Sequence, residues 1–223
     1  VALILDLTNR KRSSQEYQDS VDAVFRMNFE TGENTTVMHK EPDNIYRTAG
    51  EYMDWGYPTF TRLSGSTFAF THQSDNYIYI FDAEKNEYLN KIAIPAEFLP
   101  EYSAVSFGSK DDPEQLRVNA NIFSVGDKVL LLSIGRIPAA VMKELQQIPK
   151  YYESPELEAA VRKYMTTDFL LFDQKQFLGK VEWEINLNEA LPKGTENDFL
   201  WLKRTYKDER DYQTFLKVKI VEK

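Results

Sequence analysis

The sequence predicts an all-β fold built from repeated four-stranded antiparallel units, a β-propeller interrupted by a small helical insertion. Three observations carry that prediction. The first is composition: 13 Tyr and 14 Phe against 9 Gly and 9 Pro suit pleated, half-buried surfaces rather than a disordered chain. The second is a near-copy, because "DAVFRMNFETGENTTVMHK" (Asp22 to Lys40) and "NYIYIFDAEKNEYLNKIAI" (Asn76 to Ile94) share one layout of apolar strand, polar turn and second strand. The third is spacing: sets of short strands recur at roughly 50 to 60 residues, as in folds whose units bury their faces only against neighbouring units.

In chain order, a partial set comes first: Ala2 to Leu7, Ala23 to Met27 and Asn34 to His39. Tyr57 to Leu63 and Thr67 to Thr71 follow, joined by Ser64-Gly65-Ser66, in which Gly supplies a positive φ. With the strand pair of Asn76 to Ile94 they make one complete four-stranded unit. Leu116 to Phe123, Lys128 to Ser133, Asp168 to Phe172 and Gly179 to Asn186 give a second, with Val125-Gly126-Asp127 at its first turn. Asp198 to Arg204 and Tyr212 to Val221 are the partial set at the back. The total is about three and a half blades, whereas propellers close with roughly four to eight. Residues 1–223 are therefore expected to form one domain that is the C-terminal part of a longer chain, or else one that completes its ring in another way. A β-sandwich is the competing architecture, since short strands at regular spacing are also its signature.

Within the near-copies, Gly32 and Asn86 occupy equivalent places, and both residue types readily adopt the left-handed conformation that follows a type I turn in a hairpin. The third copy, Asp173 to Phe177, departs from the pattern and needs a shorter or differently built turn. Asp82 and Asp173 end strands and are read as turn residues.

One long insertion separates two strands of the second complete unit. Pro138 to Ile148 places Val141, Met142, Leu145 and Ile148 on one helical face, and Pro155 to Met165 does the same with Leu157, Ala160, Val161, Tyr164 and Met165. Ser154-Pro155-Glu156 is a helix start: a Ser N-cap, Pro at the first helical position and an acid in the first turn. Residues 138–165 are thus a helical insertion within a blade.

In a meander of this kind the long connections Thr8 to Asp22, Lys40 to Gly56, Pro95 to Gln115 and Ile134 to Thr167 all emerge on one face, and the short hairpins on the other. The long-loop face is aromatic. Tyr52, Trp55, Tyr57, Tyr102, Tyr151 and Tyr152 are the candidate ligand-binding residues, with Tyr46 and Phe98 nearby, since Tyr and Trp offer rigid area with a polar tip to a glycan or a protein partner. The competing account is that these rings pack their own loops onto the blades.

Other function classes find less support. A formal charge of −8, from 35 acidic and 27 basic residues, repels a phosphate backbone, and the best basic run is only Arg10-Lys11-Arg12, so nucleic acid is not an expected partner. No apolar run approaches the roughly 20 residues that span a bilayer. With no cysteine there is no disulfide framework, thiolate nucleophile or cysteine-rich zinc site. His39 and His72 lack the close spacing of a metal motif and are read as solvated or hydrogen-bonded strand histidines. No metal and no cofactor is expected. The carboxylates Asp6, Asp22, Asp54 and Asp198 are the candidates for a glycosidase-like pair near a propeller axis, the alternative to a non-catalytic binding role.

The strand pattern "IYIFDAEKNEYLNKIAI", the preceding "YPTFTRLSGSTFAFT" and the closing "DYQTFLKVKIVEK" resemble TolB-like, six-bladed propeller proteins of unknown function that are common as lipoproteins in Bacteroidetes. The resemblance implies an extracytoplasmic protein, in the periplasm or on the outer-membrane surface, with a lipid anchor and further blades upstream of Val1. The chain opens without Met on the strand-like "VALILDL", the start expected of a processed or truncated product. The resemblance supplies no catalytic residues.

Overall fold

Alternating apolar and polar residues, punctuated by Gly and Asn at left-handed positions, yield antiparallel meanders. The structure, a computed structural model, describes residues 2–3, 13–20, 24–27, 30–38, 40–53, 58–183, 190–204 and 213–221. The fold is mostly β with few helices, and one of its sheets curls like half a barrel. The first sheet holds β1 (Ala2–Leu3), β2 (Val24–Met27) and β3 (Asn34–Met38). The second holds β4 (Pro58–Ser64), β5 (Thr67–His72), β6 (Tyr77–Asp82) and β7 (Glu87–Ala93). The third runs from β8 (Glu101–Ser103) through β9 (Glu114–Val125), β10 (Lys128–Gly135) and β11 (Thr167–Phe172) to β12 (Phe177–Lys180). The fourth holds β13 (Ala190–Glu196), β14 (Phe199–Arg204) and β15 (Phe215–Lys219). In every sheet, neighbours in space are neighbours in sequence and all pairs are antiparallel.

The last three sheets pack face to face in chain order. Ala69, Ile78, Ile80 and Ile92 of the second sheet meet Ile122, Val129, Leu131 and Leu170 of the third. The opposite face of the third sheet, through Phe123, Leu130, Leu132 and Phe169, meets Leu200 and Leu202 of the fourth. Val129 to Leu132 therefore form an unbroken buried run. A strand covered on both faces has no polar side, so its sequence loses the usual alternation. The strands nearest one another across the sheets are β4, β9 and β13, where the Ser124 amide donates to Thr61 Oγ1 (3.1 Å) and Ser124 Oγ lies 3.5 Å from Thr195 Oγ1.

The turns behave largely as their residues predict. Gly32 and Asn86 have φ of 71° and 57°. The third copy is built differently in having no positive φ from Asp173 to Phe177, although Asp173 Oδ1 accepts from the amides of Lys175 and Gln176, both at 2.7 Å. Asp82 does likewise with Glu84 and Lys85, at 2.9 and 3.2 Å.

Two helices stand at the predicted insertion, α3 (Ala139–Leu145) and α4 (Pro155–Tyr164), and Ser154 Oγ accepts from the Leu157 amide at 3.1 Å as the N-cap. The apolar face of α4 is only half covered. Leu157, Ala160 and Tyr164 turn inward, whereas Val161 and Met165, expected on the same face, are exposed.

Four elements escaped the sequence reading. They are the helices α1 (Gln15–Ser20) and α2 (Ile45–Thr48), both too short for a periodic pattern, and the strands β8 and β13. Strand β13, "ALPKGTE", contains Pro192 and Gly194, two residue types depleted from strands. It tolerates them as an edge strand with a register shift between those two positions.

Candidate functional site

Each sheet is an up-and-down meander, so its connections alternate between two ends. The hairpin end carries the turns at 65–66, 83–86, 126–127, 173–176 and 197–198. Contacts between sheets align these turns, for the Gly126 amide donates to the Asn197 carbonyl (2.8 Å) and Asn90 Nδ2 to the Gln174 carbonyl (2.7 Å). The loop end gathers the segments before β4, between β7 and β9, and between β10 and β11.

At the loop end, the β5–β6 connection, His72 to Asn76, is the hub of a buried polar network. Asn44 N-caps α2, its Oδ1 accepting from the Tyr46 amide at 3.1 Å, while its Nδ2 donates to Asp75 Oδ2 at 2.6 Å. The Tyr79 hydroxyl donates to the same carboxylate at 3.1 Å, and the Ser74 amide donates to Tyr46 Oη at 3.1 Å. From the third sheet, Asn119 Nδ2 donates to the carbonyls of His72 (3.0 Å) and Asp75 (2.8 Å), and Gln115 Nε2 to Ser74 Oγ (3.2 Å). Arg136 Nη1 then donates to Gln115 Oε1 at 3.0 Å, which ties the start of the helical insertion to the hub. Burial, reinforced by the Asp75 charge, pushes the Tyr79 phenol up and keeps it protonated as a donor.

His72 departs from expectation. It is 1% exposed, and among the described residues neither ring nitrogen has a hydrogen-bond partner. Its ring lies 5.6 Å from Tyr46 and 5.9 Å from Phe70, with Nδ1 3.5 Å from Asp75 Oδ2. The pair is closed off from solvent, and the bonds around it join the loop before β4, the β5–β6 connection and β9. Its signal in the sequence, the polar run His72-Gln73-Ser74-Asp75 between apolar strands, reads as an ordinary turn.

A second polar cluster secures the far side of the insertion. Arg117 Nη1 donates to Asp168 Oδ2 at 2.7 Å and Lys180 Nζ to Asp168 Oδ1 at 2.5 Å, while Arg117 Nη2 reaches Thr166 Oγ1 at 3.2 Å. Burial pushes the Asp168 carboxyl up, but Lys180 and Arg117 together hold it below the usual carboxylate range. Gly135 lets the chain return here, since a Cβ at that position would run into the Tyr164 carbonyl.

Four of the six predicted aromatic residues, Tyr52, Tyr102, Tyr151 and Tyr152, are among the described residues. Trp55 and Tyr57 lie outside the described residues, as do His39, Asp6, Asp22 and Asp54. Tyr52 is half-buried, its backbone bridged to Val105 by reciprocal bonds of 2.7 and 2.9 Å. Tyr102 is half-buried on β8, where burial raises its phenol. Tyr46 is buried in the hub, and Phe98 packs against the core beside Phe177. Tyr151 and Tyr152 stand apart as an edge-to-face pair, centroids 6.0 Å apart, with Tyr152 64% exposed. Beside them the outer side of α4 forms a shallow open hollow lined by Pro155, Glu158, Ala159, Arg162 and Lys163. Of the candidate acids, Asp198 is exposed at the hairpin end, against Gly126. Among the described residues no three His, Asp or Glu side chains are grouped to hold a metal, and no helix is long and apolar enough to cross a membrane.

Comparison with known proteins found no matching family model, no similar curated protein and no similar solved structure. No residue role is carried over from a relative, and the functional reading rests on the geometry.

Proposed function

We propose that this chain is part of a β-propeller, in a six-bladed ring, that serves as a non-catalytic binding platform of the bacterial cell envelope. Support for the propeller comes from meanders that pair only internally and stack face to face in chain order, with β4, β9 and β13 as the inner strands. The extracytoplasmic setting and the upstream lipid anchor follow from the resemblance to TolB-like lipoproteins.

The observation that carries the binding role is the contrast between a loop end pinned by a buried network and the exposed Tyr152, stacked edge-to-face on the half-buried Tyr151, that it presents to solvent. Rigid loops lose little freedom on binding, and exposed Tyr side chains supply contact area for a glycan or a protein. The glycosidase alternative gains nothing from Asp198, which sits at the opposite end.

A glycan array and a pull-down from envelope extract, each run with the native protein and a Tyr151→Ala, Tyr152→Ala double variant, test the reading. Hits that weaken by about tenfold or more in the variant are expected. Hits of equal strength, or no hits in either assay, would leave a structural role in an envelope assembly.

A further inference from the structure

The outer edges of β6 and β11 are covered by β7 and β12, but among the described residues no strand pairs with the outer edge of β15. The register of that edge can be read from its inner side. The Arg204 amide donates to the Thr214 carbonyl at 2.8 Å, and Leu202 and Leu200 stand opposite Leu216 and Val218. Antiparallel hydrogen bonding alternates along a strand, so Thr214, Leu216 and Val218 turn their backbone groups toward β14. Phe215, Lys217 and Lys219 turn theirs outward, toward the open edge.

The side chains along this edge are sorted by face. Leu216, Val218 and Ile220 join the core that Leu200 and Leu202 form with the third sheet. On the other face stand Phe199, Trp201 and Lys203 of β14 and Phe215, Lys217 and Lys219 of β15. There Lys217 Nζ sits 4.5 Å above the Phe199 ring and 5.1 Å from Trp201, held by Glu196 at 2.9 Å, and Lys219 Nζ lies 6.0 Å from Phe199. A cationic stripe on a chain of net charge −8 selects its neighbours. Pairing with β15 of a second copy would set lysine against lysine, which is destabilising.

We propose that the outer edge of β15 is a β-augmentation site for an extended segment of a partner polypeptide in which apolar and acidic residues alternate. The incoming strand bonds the outward backbone groups of Phe215, Lys217 and Lys219. Its apolar residues extend the row of Leu216 and Val218, and its acids lie opposite Lys217 and Lys219. This surface is separate from Tyr151 and Tyr152 and independent of what the loop end binds.

Fluorescence anisotropy with two labelled synthetic peptides, one alternating Val with Glu and one alternating Val with Lys, tests it. The Glu peptide should bind at least about fivefold more tightly than the Lys peptide, and added salt should weaken it. Lys219→Glu should reverse the preference. Phe215→Pro, which removes an outward N–H without touching the ladder to β14, should abolish binding at an unchanged melting temperature, and Tyr152→Ala should leave binding intact. Should Phe215→Pro fail to fold, the reversal by Lys219→Glu still decides. Equal binding of both peptides, no binding of the Glu peptide, or a preference that Lys219→Glu leaves unchanged would overturn the proposal, with the lysines then acting only to guard an open edge.

Discussion

The two ends of the sheets use aspartate for opposite purposes. At the hairpin end, Asp82 and Asp173 accept from amides two and three residues ahead and shape the turn that contains them. At the loop end, Asp75 takes a hydrogen bond from Asn44, 31 residues away, and its carbonyl receives one from Asn119, 44 residues away. Apart from the Ser66 hydroxyl, which also donates to Asp82 at 2.9 Å from the neighbouring hairpin, the first arrangement is a property of a short peptide, and the second exists only once separate parts of the chain have met. The turns of one end are thus shaped locally, with only their alignment by the Gly126–Asn197 and Asn90–Gln174 bonds being tertiary, whereas the loop end is put together by tertiary contacts, so damage should spread further there.

Asp75→Ala is the most severe way to break that contrast. It strips the buried Tyr79 hydroxyl and the part-buried Tyr77 amide of their carboxylate acceptor and leaves Asn44 Nδ2 only its 3.4 Å contact with Tyr79 Oη, for an expected loss of about 3 to 5 kcal/mol in urea denaturation. A loss below about 1 kcal/mol, the net value of a single ordinary hydrogen bond, would show that the hub is not what holds the loops.

Asp168 gives the same end a pH signature. Lys180 and Arg117 hold its carboxyl below the usual range against the upward push of burial. A group whose folded pKa is depressed contributes stability above its unfolded pKa of about 3.9, and loses that contribution as pH falls through the folded value. Asp168→Asn should therefore cost about 2 kcal/mol near neutral pH, with the gap from the native protein closing below about pH 4. A gap that stays constant from neutral to acid pH would remove the charge pairing from the explanation.

Legibility in the sequence follows the same division. Gly32, Gly65, Asn86 and Gly126 announce their turns because a positive φ is a local demand, and all four show it. Strands β4 to β7 and β9 to β11 could be read from apolar patterning and turn spacing, and α4 from its cap. Strand β13 was hidden by Pro192 and Gly194, which an edge position tolerates. The hub was invisible for a stronger reason: nothing near His72 says that Asn44 and Asn119 will arrive beside it. Aromatic content located the loop end, but it could not distinguish Tyr46, which is buried, from Tyr152, which is open to solvent.

The mildest test lies at the hairpin turn of the first sheet, the counterpart of the Asn86 turn. Gly32 has φ of 71°, and no atom of the described residues lies within 4 Å of where a Cβ would stand, so the cost of a side chain there is chiefly conformational. Gly32→Val forces a β-branched residue into the left-handed region and should cost about 1 to 2 kcal/mol. Asn86→Gly, at the equivalent turn with φ of 57°, relieves the same demand and should stay within about 0.5 kcal/mol of the native protein. Hydrogen exchange then separates local from tertiary damage. In Gly32→Val, faster exchange should be confined to β2 and β3, whereas Asp75→Ala should loosen α2, the β5–β6 connection and the start of β9 together. Equal spreading in both variants would mean that the hairpin end is coupled to the rest of the fold as tightly as the hub, and the distinction between the two ends would fail.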